Sequence, residues 1–129
     1  MKNPFQIGAV KIHKHKVQKA DTASFESGEV HPVYSTFALA RDSEWACRLF
    51  VLEMKEDHEE GIGSALEIKH QSPALVGSEV EFFAKLEKVE GSKVLCSFEA
   101  KVGERVIATG KQEQRILPKE KLAAIFKQL

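Results

Sequence analysis

Between Ser35 and about Lys55 the apolar residues run without a glycine or proline among them: Phe37, Ala38, Leu39, Ala40, Trp45, Ala46, Leu49, Phe50, Val51, Leu52 and Met54. This spacing predicts one long helix, apolar around much of its circumference, which must be covered on several sides. Ser35 or Thr36 supplies the N-cap, since a side-chain oxygen there can accept from an orphan backbone N–H. The charged run Lys55 to Glu60, followed by Gly61, ends it.

After Gly61 the period changes to two. In Gly63–Ser72, Leu66 and Ile68 alternate with Glu67 and Lys69, and Pro73 and Gly77 mark a bend. Ser78–Val89 places Val80, Phe82, Ala84 and Leu86 on one face. A turn at Gly91 and Ser92 leads to Val94, Cys96, Phe98, Ala100 and Val102, and Gly103 with Glu104 gives a second hairpin signal. Val106 and Ala108 continue toward Ile116, with Gly110 as a bulge or close-approach point. Pro118 starts a terminal helix over Lys119–Lys127. Ahead of the long helix, Gly8 to Phe25 reads as extended, and Glu26 to Pro32 reads as turn-prone, with Pro32 pushing His31 toward an extended conformation. The order is strand, long helix, then four antiparallel strands. The apolar face of such a sheet needs a cover, and the only sizeable apolar helix is Ser35–Lys55. The expected architecture is α+β: a single hotdog domain over residues 1–129, its antiparallel sheet wrapped around a long central helix.

Composition narrows the function. The 129 residues include 43% hydrophobic and 29% charged, ordinary for a soluble domain able to bury its own core. Nineteen basic residues balance nineteen acidic ones. No whole-molecule field draws the chain to nucleic acid or an anionic membrane, so any anion site must be local. Cys47 and Cys96 fit no metal or CxxC spacing and read as small buried hydrophobes. No signal-peptide or membrane-spanning run is present, so a cytoplasmic home is expected.

Polar residues on faces that the pattern would bury carry the candidate chemistry. His70 points the same way as Leu66 and Ile68, so it is either a satisfied histidine at the rim of the core or a general acid/base at the end of an apolar tunnel. Glu44 lies inside the apolar helix before Trp45; it is either a partly desolvated base or part of a solvated stripe paired with Arg41 or Arg48. Thr36 is an N-cap, or a group acting from the start of the helix. Eight positions separate Thr36 from Glu44, about 12 Å along a straight helix, so the two cannot bond directly within it. Lys11, His13, Lys14, His15, Lys16 and Lys19 form a basic stretch. Its two histidines share a strand face, but without nearby acids or cysteines they are a weak metal signal, and solvated edge-strand lysines explain the stretch more simply. The stretch could alternatively contact the phosphates of a ligand, or weakly a nucleic acid.

Three stretches resemble fluoroacetyl-CoA thioesterase and its hotdog relatives: His31 to Leu39 (HPVYSTFAL), Glu44 to Cys47 (EWAC) and Gly61 to Ser78 (GIGSALEIKHQSPALVGS). The joint spacing is the most specific part: a Ser-Thr pair, a Glu eight positions after the Thr, and a strand carrying Gly and then His before a Pro/Gly bend. The resemblance covers roughly Val30 to Ile116. It implies a catalytic set of Thr36, Glu44 and His70, with Ser35, Phe37 and Gly63 near the substrate. It implies an acyl-CoA thioesterase for a small or medium acyl group, acting as a homodimer or dimer of dimers with sites at the interface, with no metal or redox cofactor and CoA only as part of the substrate. It does not carry over fluoroacetyl-CoA as substrate, because the aromatic lid tied to that specificity has no match before His31. Phe37 also stands where the relatives commonly carry another residue. A non-catalytic acyl-CoA or small-ligand binding protein, or an enoyl-thioester hydratase, would fit the same fold.

Overall fold

The structure, a computed structural model, describes residues Met1–Leu129. Its elements are β1 (Val10–Lys16), a 3-10 turn (Lys19–Asp21), β2 (Thr22–Phe25), β3 (Gly28–Tyr34), α1 (Thr36–Met54), β4 (Glu59–His70), β5 (Glu79–Glu90), β6 (Lys93–Val102), β7 (Arg105–Pro118) and α2 (Lys119–Lys127). Five strands form one antiparallel sheet in the order β1-β5-β6-β7-β4, and β2 pairs with β3 as a separate hairpin.

Helix α1 starts where Ser35, in an extended conformation, accepts a hydrogen bond from Ala38 N at 3.0 Å. Its buried stripe is Ala38, Leu39, Asp42, Ser43, Ala46, Cys47, Phe50, Val51 and Met54, the i, i+4 and i, i+3 spacing of one helical face. That face packs on the inner residues of β5 and β6, among them Phe82, Leu86, Cys96 and Phe98. The expected cover on several sides is not there: Phe37, Trp45 and Leu52 stand exposed on the opposite face. The sheet gives the helix one wall, and the arrangement is the hotdog.

Two tight hairpins build the meander. Gly91 and Gly103 each hold φ +58° at the first position of a two-residue loop, a conformation glycine adopts without steric cost. Gly110 is a close-approach point, because a Cβ there would lie 2.1 Å from the Glu67 carbonyl oxygen and 2.4 Å from the Phe98 ring.

Two stretches differ from the sequence expectation. The turn-prone region is mostly strand: only Glu26 and Ser27 turn, and β3 runs through Pro32, which is tolerated because this hairpin has free edges. Strand β4 begins at Glu59 rather than Gly63, pairing Glu59 with Pro118 and Glu60 with Leu117. The Glu59 carboxylate is buried because it accepts from Glu56 N at 3.0 Å and from the Met1 ammonium at 2.7 Å. No helix is long and apolar enough to cross a membrane.

Candidate active site

The first residue of α1 and the last of β4 meet: Thr36 Oγ1 lies 2.9 Å from His70 Nδ1. Cross-strand register carries His70 to this point on the sheet's inner face, where it pairs with Ala108, which pairs with Ala100, then Phe82, then His13. Ile68 and His70 are half-buried as the alternation predicts, whereas Leu66 is 41% exposed. The turn after His70 is clamped, since Gln71 N and Ser72 N both donate to Ile107 O, and Arg105 donates to Ser72 Oγ and the Pro73 carbonyl.

His70 Nε2 is buried and has no hydrogen-bond partner. Burial pushes the imidazole below its ordinary pKa, with the Ser72 backbone pulling the other way, so the ring is neutral at pH 7. With its proton on Nε2, Nδ1 accepts the Thr36 hydroxyl and Nε2 is a free donor; in the other tautomer Thr36 accepts and Nε2 is a free base. Either way one ring nitrogen waits for a partner. A buried polar atom left in that state costs free energy, which a ligand group placed there recovers.

Glu44 sits two helical turns beyond Thr36. Neither arginine pairs with it: Arg41 bonds Asp21 and Asp42, and Arg48 bonds Glu60 at 2.8 Å. The half-buried carboxylate instead faces Gly63, where a Cβ would lie 2.5 Å from Glu44 Oε1 and 3.8 Å from Gln112 Nε2. A cavity of about 230 Å³ opens here, lined by Glu44, Gly63, Ser64, Ala65 and Leu66. Behind it Gln112 and Gln114, each 2% exposed, are joined by a 2.9 Å bond.

The chain thus holds two separate groups, Thr36 with His70 and Glu44 with Gly63, and does not bring all three expected catalytic groups together. Ser35 is buried with its hydroxyl committed to the cap. Phe37 is exposed and packs edge-on against Phe25 at 5.8 Å. Sequence reasoning ended an extended segment at Phe25 without the returning strand β3, and so missed its approach to Phe37; it missed as well the buried glutamines, whose inward alternation on β7 was the available signal. It also missed the acids beside the β1 histidines: His15 Nε2 lies 2.7 Å from Asp21 Oδ2 and 3.4 Å from Asp42 Oδ2. Asp42 comes from α1, and no sequence spacing reveals that approach.

The chain is similar to known proteins along most of its length. No curated protein sequence matches the chain. A hypothetical protein of Thermus thermophilus described as a thioesterase superfamily member is 38% identical, with a TM-score of 0.92 over 97% of this chain and 93% of that one. A phenylalanine-to-alanine variant of the fluoroacetyl-CoA-specific thioesterase FlK is 27% identical, with a TM-score of 0.87 over 98% of each chain. A threonine-to-serine variant of the same enzyme, in complex with acetyl-CoA, is 25% identical, with a TM-score of 0.88 over 96% of this chain and 98% of that one. The fluoroacetyl-CoA-specific thioesterase family profile matches residues 17–120. With most of its length matched, the chain belongs to the fluoroacetyl-CoA-specific thioesterase family.

Proposed function

We propose that the protein hydrolyses a small or medium acyl-CoA to the free acid and CoA, using Thr36, His70 and Glu44. The observation that carries this reading is the Thr36–His70 contact with the second imidazole nitrogen buried and unpartnered. Family membership and the acetyl-CoA complex of FlK support a CoA thioester as the ligand class.

In the proposed reaction the thioester carbonyl lies at the start of α1. The N–H groups of Thr36 and Phe37 are not used by the Ser35 cap, which takes Ala38, and they stabilise the developing oxyanion. Thr36 and His70 orient the carbonyl and the departing sulfur. Glu44 activates water as a general base, or attacks the carbonyl and displaces the CoA thiolate to form a mixed anhydride that water then opens; labelled water in a single turnover separates the two, because only the second route can leave label in the Glu44 side chain rather than in the released acid. Water is the only co-substrate.

The same reading makes the working unit a homodimer. Strand β4 is an edge strand, exposed from Gly63 through Glu67. Antiparallel pairing of β4 with a second copy, about a two-fold axis near Leu66, sets the Gly63 end of one strand against the His70 end of the other. Glu44 of one protomer then faces the partner's Thr36 and the partner's His70 across the interface, which joins the two half-sites.

The test is a panel of acyl-CoAs of increasing chain length with detection of the free thiol. Release of CoA from at least one, lost in His70→Ala, is expected. Binding without thiol release at any length would leave an acyl-CoA binding protein, and consumption of an enoyl-CoA without thiol release would leave a hydratase.

A further inference from the structure

Tyr34 is 1% exposed and the largest of the fully buried side chains. It stands where the chain leading to Thr36 meets the chain leaving His70. Its backbone N–H donates to Ala74 O at 2.9 Å, and Ala74, itself fully buried, lies four residues beyond His70. The next residue, Ser35, donates its N–H to Asp21 O at 2.8 Å, and Thr36 follows.

The phenol of Tyr34 donates to Asp42 Oδ2 in a short hydrogen bond. Asp42, 7% exposed, is held from the other side by Arg41, whose Nε reaches Oδ1 at 2.9 Å and whose Nη2 reaches Oδ2 at 3.0 Å. The same Nη2 donates to Asp21 Oδ1 at 2.9 Å. Asp21 Oδ2 accepts Gln18 N at 2.8 Å and meets His15 Nε2 at 2.7 Å, and the His15 ring stacks on Tyr34 with centroids 5.9 Å apart. His13, on the same inner face of β1, completes the titratable groups around Asp42. Burial and the Asp42 carboxylate push the phenol far above its ordinary pKa, so it stays a donor.

The proposed reaction gives none of these groups a role, and taking two carboxylates out of water is costly even when they are paired. A phenylalanine over an apolar neighbour would fill the same space. What the polar arrangement adds is direction: it locks Tyr34, and through its backbone both the Thr36 turn and the Ala74 strap, to the second turn of α1. We infer that Tyr34 and Asp42 are positioning residues for the Thr36–His70 pair, their hydrogen bond fixing the contact at 2.9 Å between groups on separate elements. Only the turnover arm of the test rests on the proposed hydrolase activity.

The experiment compares Tyr34→Phe, Thr36→Ala and the double variant in the full chain, with Asp42→Ala as a second way to remove the bond should Tyr34→Phe fail to fold. The His70 ring is followed by nitrogen NMR in the free protein, and kcat and KM are measured on the best acyl-CoA. The His70 ring nitrogens are expected to shift in Tyr34→Phe as they do in Thr36→Ala. The kcat should fall roughly tenfold or more with KM nearly unchanged, since a small misplacement of reacting groups is costly. In the Thr36→Ala background Tyr34→Phe should bring no further loss. Unchanged His70 resonances in a folded variant, or losses that multiply in the double variant, overturn the inference. If the wild type turns over no acyl-CoA, the hydrolase reading fails while the NMR arm still decides the positioning role.

Discussion

Thr36 Oγ1 and His70 Nδ1 lie 2.9 Å apart although 34 residues separate them, one opening the central helix and the other closing an edge strand. The contact leaves His70 Nε2 as the one buried side-chain nitrogen or oxygen without a partner. A histidine satisfied at the rim of a core would use both nitrogens. This one uses one.

Burial sets the direction of the pH dependence. Because the folded protein disfavours the imidazolium, kcat/KM should rise with pH through a midpoint below the ordinary histidine value of ~6.5. The same depression makes the unfolded chain bind the extra proton more readily. Stability is therefore undiminished above ~6.5 and falls as pH drops from there toward the lower folded value. A pH–rate profile paired with NMR titration of His70 checks both, and a midpoint at or above the ordinary value contradicts the account.

Two glycines on the β4–β7 ladder should respond differently to alanine. At Gly63 the new methyl meets the far end of the Glu44 side chain, which can move. Gly63→Ala should keep the urea midpoint close to wild type while turnover falls about tenfold or more, because the carboxylate is displaced. At Gly110 the methyl meets the Glu67 backbone carbonyl and the buried Phe98 ring, and neither can yield without moving the sheet. Gly110→Ala should cost about 3 kcal/mol in urea unfolding. Equal stability losses at the two sites would contradict the contacts described.

Much of this was legible beforehand. Ser35 capping a helix that ends near Lys55, four alternating strands, and the inward turn of Ile68 and His70 all follow from local pattern. The hairpin β2–β3 was hidden because Glu29, Val30, His31 and Pro32 are exposed on both faces, so burial imposes no alternation on them. On β1 the pattern points the wrong way, with Val10 and Ile12 outward and Lys11, His13 and His15 inward. What holds those polar residues in place lies outside the strand: Glu53 of α1 pairs with Lys11, and His15 meets Asp21 of the 3-10 turn at 2.7 Å, with Asp42 of α1 at 3.4 Å. Thr36, Glu44 and His70 stand out in the sequence only as separate candidates, and the distance between Glu44 and the Thr36–His70 pair is a property of the packed helix and strand.

Arg41 should matter more for stability than an exposed arginine normally does. Its guanidinium neutralises Asp21 and Asp42, both nearly buried, and removing it leaves two carboxylates facing each other. With the arginine itself 58% exposed and screened by solvent, Arg41→Ala should cost about 2 kcal/mol at neutral pH. Burial alone would raise the Asp21 pKa, but Arg41, the Gln18 N–H and His15 outweigh it and hold the carboxyl below its ordinary value. The stability that Asp21 contributes is thus present above the ordinary carboxylate range and lost as pH falls through the depressed folded value. The gap between wild type and Arg41→Ala should narrow in acid. A gap independent of pH would assign the loss to packing of the arginine stem instead.

The separation of the half-sites makes subunit complementation decisive. Suppose each active site takes Glu44 from one protomer and Thr36 with His70 from the other. Mixing Glu44→Gln subunits with His70→Ala subunits, each inactive alone, then gives heterodimers in which one site carries both defects and the other carries none. Random reassociation makes half of the dimers mixed, so about a quarter of the wild-type activity should return. If Glu44 instead reached Thr36 and His70 within its own protomer, every site in every dimer would carry one defect. Mixing would restore nothing. The control is Thr36→Ala mixed with His70→Ala: these two residues touch within one chain, so their heterodimers should remain inactive under either arrangement. Recovery in the first mixture and not in the second would place the reacting groups across the two-fold axis.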